Sequence, residues 1–172
     1  MVRAARNIYP AIPYVGMYGS ASFTITTTPQ ILTLDHYCFS TSHFIVDVGN
    51  GRITLKRGKS SGIFRFFASC SAIKATGNPS YISLQMFKNG VACTCGLAYG
   101  YVGAGNDNST AVLIVCTELS QGDYIEFKVT TDDGTATVID DAVRVIVEGI
   151  PMAGWDNKRG GNKRNIIEKE AF

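Results

Sequence analysis

The residues in this chain whose types invite chemistry are two histidines, His36 and His43, five cysteines at 38, 70, 93, 95 and 116, and a scatter of loop aspartates. On paper Asp35, His36 and Cys38 supply an orienting acid, a base and a thiol nucleophile. Neighbours on one short segment, however, cannot present nucleophile and base in productive geometry without support from elsewhere. Catalysis is therefore not expected. His36, Cys38 and His43 with Cys93 or Cys95 would make a zinc site only at spacings that match no standard finger or knuckle. Asp107, Asp132, Asp133, Asp140 and Asp141 offer the hard oxygen ligands calcium takes, yet no single loop carries a full set, and solvated turn residues are the simpler reading. The glycine-rich stretch at 100–105 neither follows a dinucleotide-binding strand nor opens a helix, so it is no phosphate cradle. No catalytic residue, cofactor or metal is expected.

Those residues lie among elements that read as strands. Tyr81 to Gly90 is the clearest: Ile82, Leu84 and Met86 recur with period two, Ser83 and Gln85 fall opposite, and Asn89-Gly90 is a strong hairpin signal. Before it, Phe64, Phe66, Ala68, Cys70 and Ala72 form one face of a long strand, and Gly49-Asn50-Gly51 turns Phe44 to Val48 into Arg52 to Leu55. After it, Ala111 to Thr117 is apolar on both faces, as expected of a strand covered on both sides. Ile125, Phe127 and Val129, and then Val143, Val145 and Val147, repeat the alternation, while 74–80, 100–109 and 131–135 read as loops. Eight to ten strands and no convincing helix before Pro151 require an all-β, two-sheet sandwich of the jelly-roll kind.

With 172 residues, 45% hydrophobic and 17% charged, the chain has length for one domain with a sizeable core. The reading divides it into an extended arm at 1–18, the jelly roll at 19–150 and a basic flexible tail at 151–172. The net charge of +2 conceals a split: Arg3 and Arg6 sit in the arm and Lys158, Arg159, Lys163, Arg164 and Lys169 in the tail, so the body is mildly acidic. A few basic residues without interleaved aromatics give no case for nucleic acid. The arm is proline-spaced and too apolar for a free tail, so part of it should dock on its own body or on a neighbour, and Arg3, Arg6, Tyr9, Ile12 and Tyr14 are the expected shell-docking residues. Cys93 and Cys95 share a face of one strand, where disulfide geometry is seldom met, and free thiols in a reducing compartment are expected. No apolar run approaches the roughly 20 residues that span a bilayer, and the N-terminus lacks a secretory h-region.

Four signals in order are similar to a known family. Gly62-Ile63-Phe64-Arg65-Phe66, Phe87-Lys88-Asn89-Gly90, Gly122-Asp123-Tyr124-Ile125-Glu126-Phe127 and Val143-Arg144-Val145-Ile146-Val147 resemble the complement-type globular heads of the tumour necrosis factor-like jelly rolls, over about Gly16 to Ile150. Tailed-bacteriophage modules of this kind open on a segment similar to Met17-Tyr18-Gly19. The resemblance implies ten strands in two sheets and a homotrimer; the lack of a spanning apolar run gives the separate expectation of no membrane partner. Phe67, Tyr81, Phe87, Leu113, Val115 and Tyr124 fall opposite the inward set of their strands, and a monomer would expose them as one apolar patch, so they are the expected trimer contacts. Collagen-like repeats, a signal peptide and a stalk are missing. The expectation is a non-enzymatic virion protein made in a host cytoplasm, a trimeric capsid decoration or cement protein of a tailed phage docked on the major capsid protein or another virion protein. The alternative is a carbohydrate- or receptor-binding module of a fibre or spike, with Tyr99 or Tyr101 stacking on a sugar.

Overall fold

The computed structural model describes residues 12–40, 42–59 and 61–151. Twelve strands run through them: β1 (Tyr14–Gly19), β2 (Phe23–Ile25), β3 (Gln30–Ile31), β4 (His36–Ser40), β5 (Phe44–Asp47), β6 (Arg52–Leu55), β7 (Gly62–Lys74), β8 (Ser80–Lys88), β9 (Val91–Val102), β10 (Asp107–Leu119), β11 (Tyr124–Thr131) and β12 (Ala136–Gly149). They pair antiparallel in two sheets. The first has the order β10-β7-β12-β1-β4 with β2 added to β12, and the second the order β5-β6-β11-β8-β9 with β3 added to β11. The fold is a two-sheet, all-β jelly roll.

Period-two alternation decides which side chains fill the space between the sheets. Phe64, Phe66, Ala68, Cys70 and Ala72 of β7 and Val143, Val145 and Val147 of β12 face Ile82, Leu84 and Met86 of β8 and Ile125, Phe127 and Val129 of β11, all buried. Phe44 meets Phe64 edge-on at 5.7 Å between centroids, and Phe66 meets Phe127 across the sheets at 6.5 Å. Each such side chain withdrawn from water stabilises by about 1.5–3 kcal/mol, before the cost of ordering the chain is set against it.

Three expectations are corrected. Residues 14–18, read as arm, form β1, which lies inside the first sheet between β12 and β4; Val15 and Met17 enter the core, so the segment is held by both ladders and by burial. The loop read at 100–109 shrinks to 103–106, because β9 runs on to Val102 and β10 begins at Asp107. Gly100 is a glycine of close approach and not of a loop: a Cβ there would stand 3.0 Å from the Ala111 backbone nitrogen, where β9 passes β10. Finally, β10 is covered on one face. Ala111, Leu113 and Val115 are buried, whereas Val112 and Ile114 are 47% and 65% exposed.

The Asn89-Gly90 hairpin forms as its sequence predicts, with φ of 52° and 79° at the two central residues. The bend in β12 between Val138 and Val143 is a register shift, with Asp141 at φ 56°.

Candidate interaction surfaces

The cross-strand register of the first sheet sets one row of outward positions directly opposite one another. Phe39 on β4 pairs with Gly16 on β1, Gly16 with Ile146 on β12, Ile146 with Phe67 on β7, and Phe67 with Ile114 on β10. The result is an apolar row across β4, β1, β12, β7 and β10, roughly 19 Å wide at the usual strand spacing. The Phe39 ring lies over Gly16, in the space a Cβ there would take, so a side chain at 16 would displace the ring. The same ring stacks on Tyr14 with centroids 4.1 Å apart. Polar and charged groups flank the row. On one side Tyr14, Glu148, Arg65 and Cys116 are in register, with Arg65 and Glu148 ion-paired. On the other side Tyr18, Arg144, Ser69 and Val112 are aligned, with Tyr18 packed between the His36 ring at 4.9 Å and the Arg144 guanidinium at 5.2 Å. An apolar centre with a polar rim is the composition of a protein contact surface.

The outer face of the second sheet differs. Glu126, 3% exposed, accepts from Arg52 Nε at 3.1 Å and pairs with Lys128 Nζ at 3.3 Å. Lys128 covers the Phe87 ring at 4.3 Å, and Arg52 covers Tyr124 at 4.5 Å. Ile45 at the β5 edge is 51% exposed, and towards the β9 edge this face again becomes apolar and open. There Tyr81 and Tyr101 pair across the strands with rings 5.4 Å apart, and Tyr99 follows two residues earlier on β9; all three are at least half exposed.

The six expected trimer contacts therefore do not form one patch. Phe67 belongs to the first sheet's row, and Tyr81 to the second sheet's tyrosine edge. Phe87 and Tyr124 sit on the second sheet beneath cations. Leu113 and Val115 point into the core, 4% and 7% exposed, so placing them outward is corrected. Their strand offers four apolar residues in succession, Val112 to Val115, and hence no alternation from which its inward face can be read. The residues the row uses and the sequence reading missed are Phe39, Ile114 and Ile146. Ile146 had a signal, since it stands between Arg144 and Glu148 on the outward parity of β12.

Of the expected docking residues, Arg3, Arg6 and Tyr9 lie outside the described residues. Ile12 is 44% exposed and Tyr14 is in β1, stacked on Phe39. The Gly149 N–H donates to the Pro13 carbonyl at 2.8 Å, so the described chain begins and ends side by side, at one pole of the sandwich. At the opposite pole the expected loops do meet. Asn106 N–H donates to the Lys74 carbonyl, the buried Lys74 ammonium donates to the Asp133 carbonyl at 2.9 Å, and Tyr81 N–H donates to Asp132 Oδ1 at 2.7 Å.

The residues picked out for chemistry are dispersed. Asp35 is occupied by Ser20, which donates from its amide at 2.7 Å and from its hydroxyl at 2.5 Å; the hydroxyl bond holds the carboxyl below its ordinary range. His36 faces the Tyr18 ring, and burial followed by the Lys59 and Lys56 charges pushes the His43 imidazole down. Cys70 is in the core, where burial raises its thiol to about 12, and Cys38, Cys95 and Cys116 are exposed. Cys93 and Cys95 are on the second sheet, whereas His36 and Cys38 are on the first. Among the described residues no three His, Cys, Asp or Glu side chains converge to hold a metal.

No protein-family model matches this chain. No curated protein matches it either. Solved structures do. An Eiger tumour necrosis factor from S. frugiperda superposes with a TM-score of 0.54 at 9% identity, covering 83% of this chain and 94% of that one. Murine APRIL at pH 8.5 gives 0.57 at 8% identity, covering 81% and 99%. At such identities the likeness concerns the fold, which is that of a tumour necrosis factor-like jelly roll.

Proposed function

We propose that this chain is a non-enzymatic structural module that assembles as a homotrimer and decorates the shell of a tailed bacteriophage, with the major capsid protein or another virion protein as its partner. The observation that carries the assembly is the row Phe39–Ile146–Phe67–Ile114, an apolar band across a whole sheet face with a polar rim. With the flanking Tyr14, Tyr18 and Val112 it forms an apolar surface of the kind that marks a protein contact. The docking part is supported by the two chain ends leaving one pole together. The sequence on either side of that pole is basic, with Arg3 and Arg6 ahead of it and five basic residues beyond Pro151. Three copies of such a pole in a trimer would multiply a weak contact through effective concentration. The placement on a phage shell rests on the sequence resemblance.

The test is a variant lacking residues 1–11. It is expected to retain the oligomeric mass of the full chain by light scattering and to lose co-sedimentation with phage particles stripped of this protein. Retained co-sedimentation overturns docking through the arm. A full chain that binds no particle but holds a glycan through Tyr99 and Tyr101 replaces the decoration reading with the recognition one.

A further inference from the structure

The one place where β9 leaves regular pairing carries two thiols. Ala92 is opposite Phe87 and Leu97 opposite Gln85, so four residues, Cys93-Thr94-Cys95-Gly96, stand against the single residue Met86. A regular strand would place one residue there, and the three extra ones must loop out of the ladder. The loop turns back tightly. A Cβ on Gly96 would lie 3.2 Å from the Cys93 Cβ, 3.4 Å from the Cys93 carbonyl oxygen and 2.9 Å from the Met86 Cβ, which leaves glycine as the residue that fits.

This geometry removes the obstacle to a bridge between the two thiols. Alternate residues of an extended strand have Cα atoms about 6.6 Å apart, at the outer end of the range a disulfide spans, and side chains held parallel. The looped-out segment is not extended: its fourth residue, Gly96, comes back against Cys93, so the strand spacing does not apply between the two thiols. We propose that Cys93 and Cys95 form a reversible dithiol/disulfide site, in which the bulge on β9 undergoes thiol–disulfide exchange with small external disulfides.

The two thiols have distinct places. Cys95 is exposed and is the sulfur an external reagent meets; Cys93 is half-buried against the rim of the core. Burial pushes the Cys93 thiol up, while the Lys88 backbone and ammonium act the other way and favour its thiolate. In the exchange, the Cys95 thiolate attacks one sulfur of the external disulfide, the old sulfur–sulfur bond breaks, and one thiolate leaves with the electron pair. The Cys93 thiolate then attacks the Cys95 sulfur and expels the second thiolate. The protein has lost two thiol protons and two electrons, and the external disulfide has become two thiols. The bulge also stands clear of the surfaces described above, four residues or about 13 Å along β9 from Tyr99.

The test exposes the folded full chain to oxidised glutathione, quenches in acid, alkylates the remaining thiols and maps the peptides by tandem mass spectrometry. The expected product has lost two hydrogens across Cys93 and Cys95, with Cys116 on the same tryptic peptide not joined to either. Cys93→Ser removes the resolving thiol, so glutathione is expected to stay on Cys95; Cys95→Ser is expected to protect Cys93 at least tenfold in rate. Alkylation of both cysteines in the wild-type chain, or a glutathione adduct that persists on wild-type Cys95, overturns the proposal.

Discussion

Asp123 is where one side chain holds three pieces of chain together. Its carboxylate accepts from Asn89 Nδ2 at 2.8 Å and from the Ser120 amide at 2.8 Å, and it pairs with Lys88 Nζ at 2.9 Å. Asn89 in turn exchanges two hydrogen bonds with the Tyr124 backbone, so the β8–β9 turn is fastened to the start of β11. Burial raises the carboxyl, but the bonds from Asn89, Lys88 and Ser120 outweigh it and bring the group to about 2, from an ordinary 3.8. A depressed carboxyl contributes stability that is complete above its unfolded value and is lost as pH falls through its folded one. Asp123→Ala is therefore expected to cost about 2 kcal/mol at pH 7, with the gap to wild type closing between about pH 4 and pH 2. Urea titrations across that range check it; a gap independent of pH would assign the loss to packing alone. At this scale much was legible: Asn89-Gly90 announced its turn, and Ile82, Leu84 and Met86 announced their burial. Asp123 was not, because nothing in Gly122-Asp123 says that a turn over thirty residues earlier will supply its donors.

Elements were legible where alternation was clean and obscure where other physics replaced it. The long alternating runs of β7, β8, β11 and β12 had readable inward faces. In β10 the run Val112-Leu113-Ile114-Val115 has no polar partner set, so its parity could only come from the register against β7. Gly100 misled in a different way, since with Gly103, Gly105 and the polar run Asn106-Asp107-Asn108 it reads as part of a loop when its real role is to let β9 approach β10. Its backbone is not in the left-handed region, so alanine is permitted by φ and ψ, and the contact alone decides. Gly100→Ala puts a methyl 3.0 Å from the Ala111 nitrogen and the Thr110 carbonyl carbon, both backbone atoms that cannot rotate aside. The expected result is a loss of about 1–3 kcal/mol by denaturant unfolding. If the closeness were harmless, the same change would stabilise by about 0.4–1 kcal/mol through the unfolded chain. The two outcomes have opposite signs.

For the whole molecule the question is what covers the apolar row, and symmetry limits the answers. A two-fold pair would place the row against itself, whereas a closed three-fold ring needs two different surfaces on each protomer, each meeting the other on its neighbour. The fold presents two: the row ending at Ile114 on the first sheet, and the Tyr81, Tyr99 and Tyr101 edge of the second. The row alone is too small for a stable contact of about 800 Å² per partner, so the flanking Tyr14, Tyr18 and Val112 have to contribute. In the proposed trimer Ile114→Asp destroys one surface and Tyr99→Asp the other. Both positions are well exposed, 65% and 63%, so each variant is expected to fold with little change in monomer stability. Each should scatter light as a monomer at micromolar concentration and lose the dependence of Tm on protein concentration that an assembled chain shows. Mixed in equal amounts, the two variants retain one intact pair of surfaces between them, the row of Tyr99→Asp and the tyrosine edge of Ile114→Asp. That mixture is expected to yield heterodimers that go no further. A two-fold contact through the row predicts something else: Tyr99→Asp would stay dimeric by itself and the mixture would add nothing. An undiminished trimer mass in Ile114→Asp would remove the row from the assembly altogether.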